Sequence, residues 1–423
     1  MSYRYNRILR SDQKLYEAVK ALHSENVFES TVNSVIAPVL VMYTNWVISE
    51  ARKHGIQRLY FLARDGYQMY HIADKICRQN RFNIKCSYFY CSRYSFRMAA
   101  YRFFDDTAYK KLFINSYKLT ARHMLERAGF NEEERSIIYD EIGFKQKENA
   151  VMGRSEFAVF CRHIRNSISF NGMLKEKSER AYQSTISYMH QEEMQKYSKI
   201  GIVDLGWTGS LQYTLKKLLV SDDIHSEVYG FYMGMLDTPP KTPNSFYLSW
   251  LFDSRQDLIK TWFSHNLIEC ICSAPHGMTL GYKVLNDTWI PILSKPENYP
   301  QLPELIRMKV ETLSVEDIGS QKKTALRLLR KLMLSPTEEE ANALRCYRFC
   351  DDVGEQYHRS IVQKVKPKDF RREILPWKLQ NHDSSDGLYW YYGSIQASDM
   401  FIKMFYRYMY LFTRYIIMKA KRG

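Results

Sequence analysis

From Asn26 to His54 apolar residues recur at helical spacing, with Val27, Val32, Val35, Ile36, Val39, Leu40, Tyr43, Trp46 and Val47 marking one side and Gly55 the stop. That pattern predicts one long buried helix. The period then changes. Arg58 to Ala63 (RLYFLA) is a short continuous apolar run, Gly66 to Asn80 returns to helical spacing, and Ile84 to Tyr90 (IKCSYFY) is a second strand. Strand, helix and strand in that order predict a β-α-β unit with parallel strands and a right-handed crossover.

Tyr94 to about Lys199 reads as mostly helical, with polar breaks at Asn131 to Glu134 and Lys145 to Asn149. The sheet then resumes with a strand at Ile200 to Val203, a helix from Thr208 to Leu219, and strands at Val228 to Leu236 and Ser245 to Phe252. The expected fold is α/β: a Rossmann-like, mostly parallel sheet with an inserted helical subdomain and a helical C-terminal region. Residues 1–290 would form the α/β domain, with the insertion at about 94–199. Pro291, Pro296, Pro300 and Pro303 predict a linker over 291–304, followed by a region at 305–423 that is helical over Leu305 to Gln363 and again at 398–422.

A hydrophobic fraction of 45% supplies ample core for a globular chain of 423 residues. None of the eight cysteines forms a C-x-x-C pair, which predicts buried reduced thiols rather than a zinc ribbon or a redox site. The first residues, MSYRYNRILRSDQ, carry no apolar core behind their basic residues, and no uninterrupted apolar run reaches the roughly 18 residues of a membrane span. The expected location is inside the cell. A formal net charge of +15 favours an anionic partner: a nucleic acid, a phosphorylated small molecule or an acidic membrane surface. No recognisable RNA or DNA module is present, so nucleic acid drops out of the expectation.

The final helix, Ser398 to Arg422, sharpens the membrane reading. Phe401, Met404, Phe405, Tyr408, Met409, Phe412, Tyr415 and Ile416 fall on one side, and Lys403, Arg407, Arg414 and Lys421 on the other. At about 100° per residue those four cations lie within roughly 40° of one another. This predicts an interfacial helix on anionic lipid at the inner face of the cytoplasmic membrane. A last helix packed on the domain, basic face in water, is the alternative.

Chemistry is sought just beyond the carboxyl ends of the strands, where open α/β sheets bind ligands. After the first strand come Arg64, Asp65 and Gly66; after the second Cys91, Ser92 and Arg93, with Arg97 one turn later. After the third comes Asp204-Leu-Gly206-Trp207-Thr208-Gly209-Ser210, opening into a helix. This last stretch offers a carboxylate on a rigid strand, two glycines that would admit a ligand, and hydroxyls and amides at a helix N-terminus, which suits phosphate. Its bland counterpart is a helix capped by Thr208 or Ser210, with Asp204 in an ion pair. A fourth stretch puts His265 and Glu269 four apart on one helix face before a turn at Pro275-His276-Gly277; the pair suits metal ligation, acid-base work or a plain hydrogen bond.

IVDLGWTGS resembles the strand and phosphate loop of type I phosphoribosyltransferases, and LARDG their pyrophosphate loop, although only one acid is present and the loop is two residues shorter. A closer resemblance covers about 230 residues in order. YFLARDGYQMY (60–70), YCSRYSFR (90–97), IVDLGWTGSLQ (202–212) and SAPHGMTLGY (273–282) are similar to blocks of the glycan phosphoribosyltransferase domain of bacterial polysaccharide loci. The resemblance implies a glycosyltransferase that moves ribose 5-phosphate from phosphoribosyl pyrophosphate to a lipid-linked glycan, with magnesium on the leaving pyrophosphate. It places Asp204 on the ribose hydroxyls or the oxocarbenium-like centre and Gly206 to Ser210 on the 5-phosphate. Arg64, Asp65 (through magnesium), Gly66, Ser92 and Arg93 would surround the pyrophosphate, and Glu269 and His276 would activate the acceptor hydroxyl.

Many members carry a haloacid-dehalogenase-type phosphatase ahead of the transferase, marked by D-x-D after an apolar strand. Here Gly206 stands two residues after Asp204, and the first ~55 residues are too few for that domain. The implied partner is therefore a separate phosphatase. The rival expectations are a phosphatase of that class, a nucleotide-sugar glycosyltransferase using Asp105-Asp106 or Asp222-Asp223, and a noncatalytic scaffold of a polysaccharide assembly complex.

Overall fold

The computed structural model describes residues 3–22, 24–103, 112, 119–237, 239, 241–296, 298–313, 319–350, 358–365, 388–404, 409, 412 and 415–416. Its centre is a five-stranded parallel sheet of β1 (Arg58–Leu62), β2 (Lys85–Phe89), β3 (Lys199–Trp207), β4 (Glu227–Met235) and β5 (Ser245–Phe252), in the order β2-β1-β3-β4-β5. The α/β expectation holds. Successive side chains of a strand point to opposite faces, and here both faces are dry. Leu59, Phe61, Val203, Leu205 and Phe231 enter one core; Tyr60, Leu62, Ile200, Ile202 and Val228 enter the other. A one-residue slip of register would exchange the two sets, so the strand pairing is tightly specified.

The first core is covered by α1 (Ala37–Lys53), the end of a helical run from Val27 that bulges through a π-helical turn at Val32–Ile36. That run is long and apolar enough to cross a membrane, but 94% of its most apolar window is buried inside the protein. It is a core helix. α2 (Tyr67–Gln79) makes the crossover between β1 and β2. The second core lies under α3 (Arg93–Ala100), α4 (Ile168–Gln191) and α5 (Ser210–Ser221). The insertion is helical as expected and has a third core of its own, with Met98, Leu125, Ile138, Phe160 and Phe170 at its centre. Its supposed break at Asn131 is in fact a helix start. The Asn131 side chain caps Glu134 N and Glu134 caps Asn131 N, opening the helix Glu132–Ile142.

The proline linker is overturned at both of its ends. Pro291 lies in β7 (Thr288–Leu293), which pairs antiparallel with β6 (Thr279–Leu285) across Asn286 and Asp287, both at positive φ. This tight hairpin was hidden because Gly281 and Pro291 blunt its strand pattern. Pro303 sits in the first turn of α7 (Gln301–Leu313), where its missing N–H costs nothing. α7 and α8 (Lys322–Leu334) pack onto α1, and Ile306, Val310, Leu328 and Leu332 belong to the first core. The C-terminal region is thus part of the same packed body as the sheet. After the helix Glu338–Ala343 the chain forms a short pair of strands at Arg348–Phe349 and Arg359–Ser360, which the helical expectation for 305–363 missed.

Of the final helix predicted at 398–422, helical backbone is described at 400–404, 409, 412 and 415–416; Ser398 and Asp399 precede it without helical backbone, and the rest, with Asp105-Asp106, lie outside the described residues. None of the eight cysteines is in a disulfide, and Cys346, expected buried, is exposed.

Candidate active site

The chain steps outward from β1 to β2 and, after the insertion, returns on the other side of β1 as β3. The crevice beyond the carboxyl ends of β1 and β3 is therefore the topological switch point of the sheet. Arg64 and Asp65 follow β1 at once, across a cis Ala63–Arg64 peptide, and Asp204 rises from β3 beside them. Asp204 lies inside the strand, three residues before its end, because β3 continues to Trp207. The two carboxyl groups hydrogen-bond to each other, Asp204 donating, and both side chains are half-buried.

Two acids in such contact cannot both ionise at low cost. Burial, then the charge of Glu269, raises the Asp65 carboxyl, while Arg64 and Arg93 draw it back; the outcome is about 7. Asp204 is driven well above the ordinary carboxylate range by burial first and by the charge of Asp65 second. The pair consequently holds one proton between its two members near neutrality.

The third acid arrives from α6 (His265–Cys272). Trp207 donates its indole N–H to Glu269 Oε1, and the Trp207 ring lies 5.7 Å from His265. The expected shared face of His265 and Glu269 is therefore real, and Trp207 is what it meets. His276 is placed at the rim. Its Nδ1–H donates to Gly277 O at 2.8 Å, so Nε2 is left to accept from the Tyr88 hydroxyl, also at 2.8 Å. Burial, with nearby Arg64 opposing a positive ring, lowers its pKa and keeps it neutral.

Cations line the same edge. Arg93 opens α3 and is exposed, and Arg97 follows one turn later. The Arg97 pKa is lowered by burial and by the charges of Arg93 and Arg127, the latter from the insertion helix Ala121–Arg127. Arg127 carries no local sequence signal because its place depends on packing across the insertion. Tyr43 was missed for the same reason: its hydroxyl sits 2.8 Å from Asp204 O and 2.7 Å from Phe231 O, tying α1 beneath the acid.

Several expected binders turn out to serve the fold. Ser92 caps α3 through Ser95 N, and its hydroxyl donates to Thr279 O at 2.6 Å, fixing the β6–β7 hairpin beside the cleft. Its polar capacity is used. A Cβ on Gly66 would fall 2.6 Å from Leu62 O, so that glycine is needed for α2 to turn tightly over β1. Gly206, at φ +112, would carry a Cβ 2.6 Å from Gly234 O, and Gly209, at φ +65, one 2.7 Å from Tyr247. The space both glycines leave is filled by the neighbouring strands rather than kept for a ligand. α5 starts at Ser210, two residues later than expected, with Gly209 as its N-cap and no side chain capping its first amides. The alternative in which Thr208 or Ser210 caps the helix is excluded; Thr208 is exposed and Ser210 half-buried. Asp222 and Asp223 lie at the opposite end of α5, paired with His190 and His225.

Among the described residues, no three His, Cys, Asp or Glu side chains form a group that could cage a metal ion. Magnesium does not require one, since it binds through one or two carboxylates and completes its shell with substrate phosphates and water. The oxygen donors of Asp65 and Asp204, which repel each other when both are charged, fit that mode. Neither a protein-family model nor a curated protein matches the chain.

Proposed function

We propose that this chain is a glycosyltransferase that transfers ribose 5-phosphate from phosphoribosyl pyrophosphate to a lipid-linked glycan acceptor in surface polysaccharide synthesis. A separate phosphatase would then remove the 5-phosphate. The observation that carries this reading is the Asp65–Asp204 carboxyl pair at the switch point, with Arg64 and Arg93 in electrostatic reach of it. The four ordered sequence blocks meet there: their residues supply the acids, the arginines, Trp207 and His276.

In the reaction a bond forms between the acceptor oxygen and the ribose anomeric carbon as the bond from that carbon to pyrophosphate breaks. Positive charge builds on the sugar and negative charge on the leaving group. A carboxylate at Asp204, its proton given up to water as the sugar charge builds, would stabilise the first; Arg64 and Arg93 would stabilise the second. Held by Asp65 and the donor phosphates, a magnesium ion would neutralise further charge on pyrophosphate. The acceptor proton leaves to a carboxylate. Glu269 suits that task better than His276, whose Nε2 must first release the Tyr88 hydroxyl. The uncapped start of α5, with Thr208 and Ser210 beside it, offers amides and hydroxyls to the 5-phosphate.

The test is incubation of the purified chain with phosphoribosyl pyrophosphate, magnesium and a panel of lipid-linked or synthetic glycans, read by mass spectrometry. Addition of a phosphopentose to an acceptor is expected. No addition to any acceptor, together with no donor binding by calorimetry, would overturn the proposal. The phosphatase rival needs a second acid two residues after Asp204. Gly206 stands there at positive φ with its Cβ position occupied, so no acid fits that strand. The scaffold rival requires that Asp204→Ala leave function intact.

A further inference from the structure

A last helix that merely packs on its domain buries its apolar face and leaves its charges in water. The described part of the final helix does the reverse. Met400, Phe401 and Met404 are 67–74% exposed, Phe412 67%, Ile416 48% and Met409 39%. The helix is nevertheless rooted. Ile402 is buried in the first core, Lys403 Nζ lies 2.6 Å from Glu338 on the body, and the Ser398 hydroxyl accepts from Val365 N. At about 100° per residue the six exposed apolar side chains span roughly half the circumference. The side turned to the body is the one that carries Ile402 and Lys403.

By sequence spacing Arg407, Arg414 and Lys421 share the strip of Lys403, flanking the apolar half, with Asp399 the only acid from 399 to the end. A second copy of this chain is a poor occupant, because a two-fold pairing of such faces brings cationic strips together. A surface that is apolar below and anionic above fits both features. Cations that flank an apolar half favour lying in an interface over crossing it.

We propose that this helix is an interfacial anchor that lays Met400, Phe401, Met404, Phe412 and Ile416 among the head groups and upper acyl chains of an anionic bilayer, which the excess of cations over acids in 399–423 attracts, while Lys403 itself stays paired with Glu338. The proposal goes beyond the catalytic reading and stands apart from it, since it concerns no residue of the cleft. An anchor of this kind would hold the cleft near an acceptor that is itself embedded in lipid.

The experiment is co-sedimentation of the full chain with vesicles of phosphatidylcholine alone and of phosphatidylcholine mixed with phosphatidylglycerol. Pelleting with the anionic vesicles, weakened by salt, is expected. Phe401→Glu combined with Phe412→Glu should weaken it about a hundredfold or more, because both changes put charge where apolar area was to be buried. Ile168→Glu, at a residue 84% exposed on the insertion, should leave it unchanged. An unaltered melting temperature checks that the double variant is folded. Absence of pelleting, equal pelleting with neutral vesicles, or pelleting indifferent to the double substitution would each overturn the anchor. So would light scattering that shows the double variant turning a dimer into a monomer, since the face would then belong to a second copy.

Discussion

Asp65, Asp204 and Glu269 stand at the floor of the cleft, just after β1, on β3 and on α6, sheltered enough that two of them share a proton. Arg93 and His276 stand at the rim, Arg93 exposed and His276 half-buried with both ring nitrogens engaged by neighbouring groups. The floor is strained electrostatically and the rim is relaxed. Burial of like charges costs folding energy that only a positively charged ligand or transition state repays, whereas an exposed arginine costs the fold almost nothing. Substitutions at the floor should therefore trade activity against stability, and substitutions at the rim should change affinity alone.

The largest expected effect is at Asp204. Asp204→Asn keeps the hydrogen bond to Asp65 but removes the carboxylate, and transfer should fall about a thousandfold. Stability should move the other way. Asp65 and Asp204 bind protons more tightly folded than unfolded, so between about pH 4 and pH 7 the wild-type chain loses stability as pH rises. The variant escapes part of that loss and should be more stable by about 1 to 2 kcal/mol at pH 7, after allowance for the cleft's access to water. Urea denaturation at pH 5 and pH 8 reads it directly. A variant that is both inactive and less stable at pH 8 would show that the floor holds no buried charge to relieve.

At the rim, Arg93→Ala should weaken donor binding by about tenfold to a hundredfold, the span for losing one charged hydrogen-bonding group, with stability unchanged. Calorimetric titration with phosphoribosyl pyrophosphate measures the first and thermal melting the second. A fall in stability to match would mean that Arg93 belongs to the floor.

A smaller effect belongs to Tyr88. With the hydroxyl gone in Tyr88→Phe, His276 Nε2 loses its donor and the ring titrates with less restraint. Its pKa should rise toward the ordinary value of about 6.5. Transfer should change no more than about threefold at pH 8, with an added loss below pH 6.5 as the ring charges beside Arg64. A pH profile identical to wild type would remove His276 from the chemistry.

What was legible in the sequence follows the same division. The strands were readable because a parallel sheet with two dry faces writes continuous apolar runs such as RLYFL and KIGIV, whereas their order across the sheet was not. Residues after those runs were found because strand ends point to the switch point; Asp65 and Asp204 came from that rule, and Glu269 from its helical spacing to His265. Roles fixed by distant partners were not readable. Trp207 is held by Glu269 62 residues on, Ser92 by Thr279 187 residues on, and Gly206 and Gly209 by β4 and β5, so capping and close packing passed for ligand binding.

Ser92 gives the smallest effect and separates those two readings of one residue. If its hydroxyl serves only the N-terminus of α3 and the carbonyl of Thr279, Ser92→Ala should cost about 1 kcal/mol of stability, the usual worth of an N-cap. Donor affinity should stay within twofold. Ser92→Asp, which retains a capping oxygen but clashes electrostatically with Thr279 O, should restore the cap and loosen the hairpin beside the cleft. Loss of donor affinity in Ser92→Ala at unchanged stability would return this serine to the rim as a binding group, and the cleft would then reach further along β2 than its buried, doubly engaged hydroxyl allows.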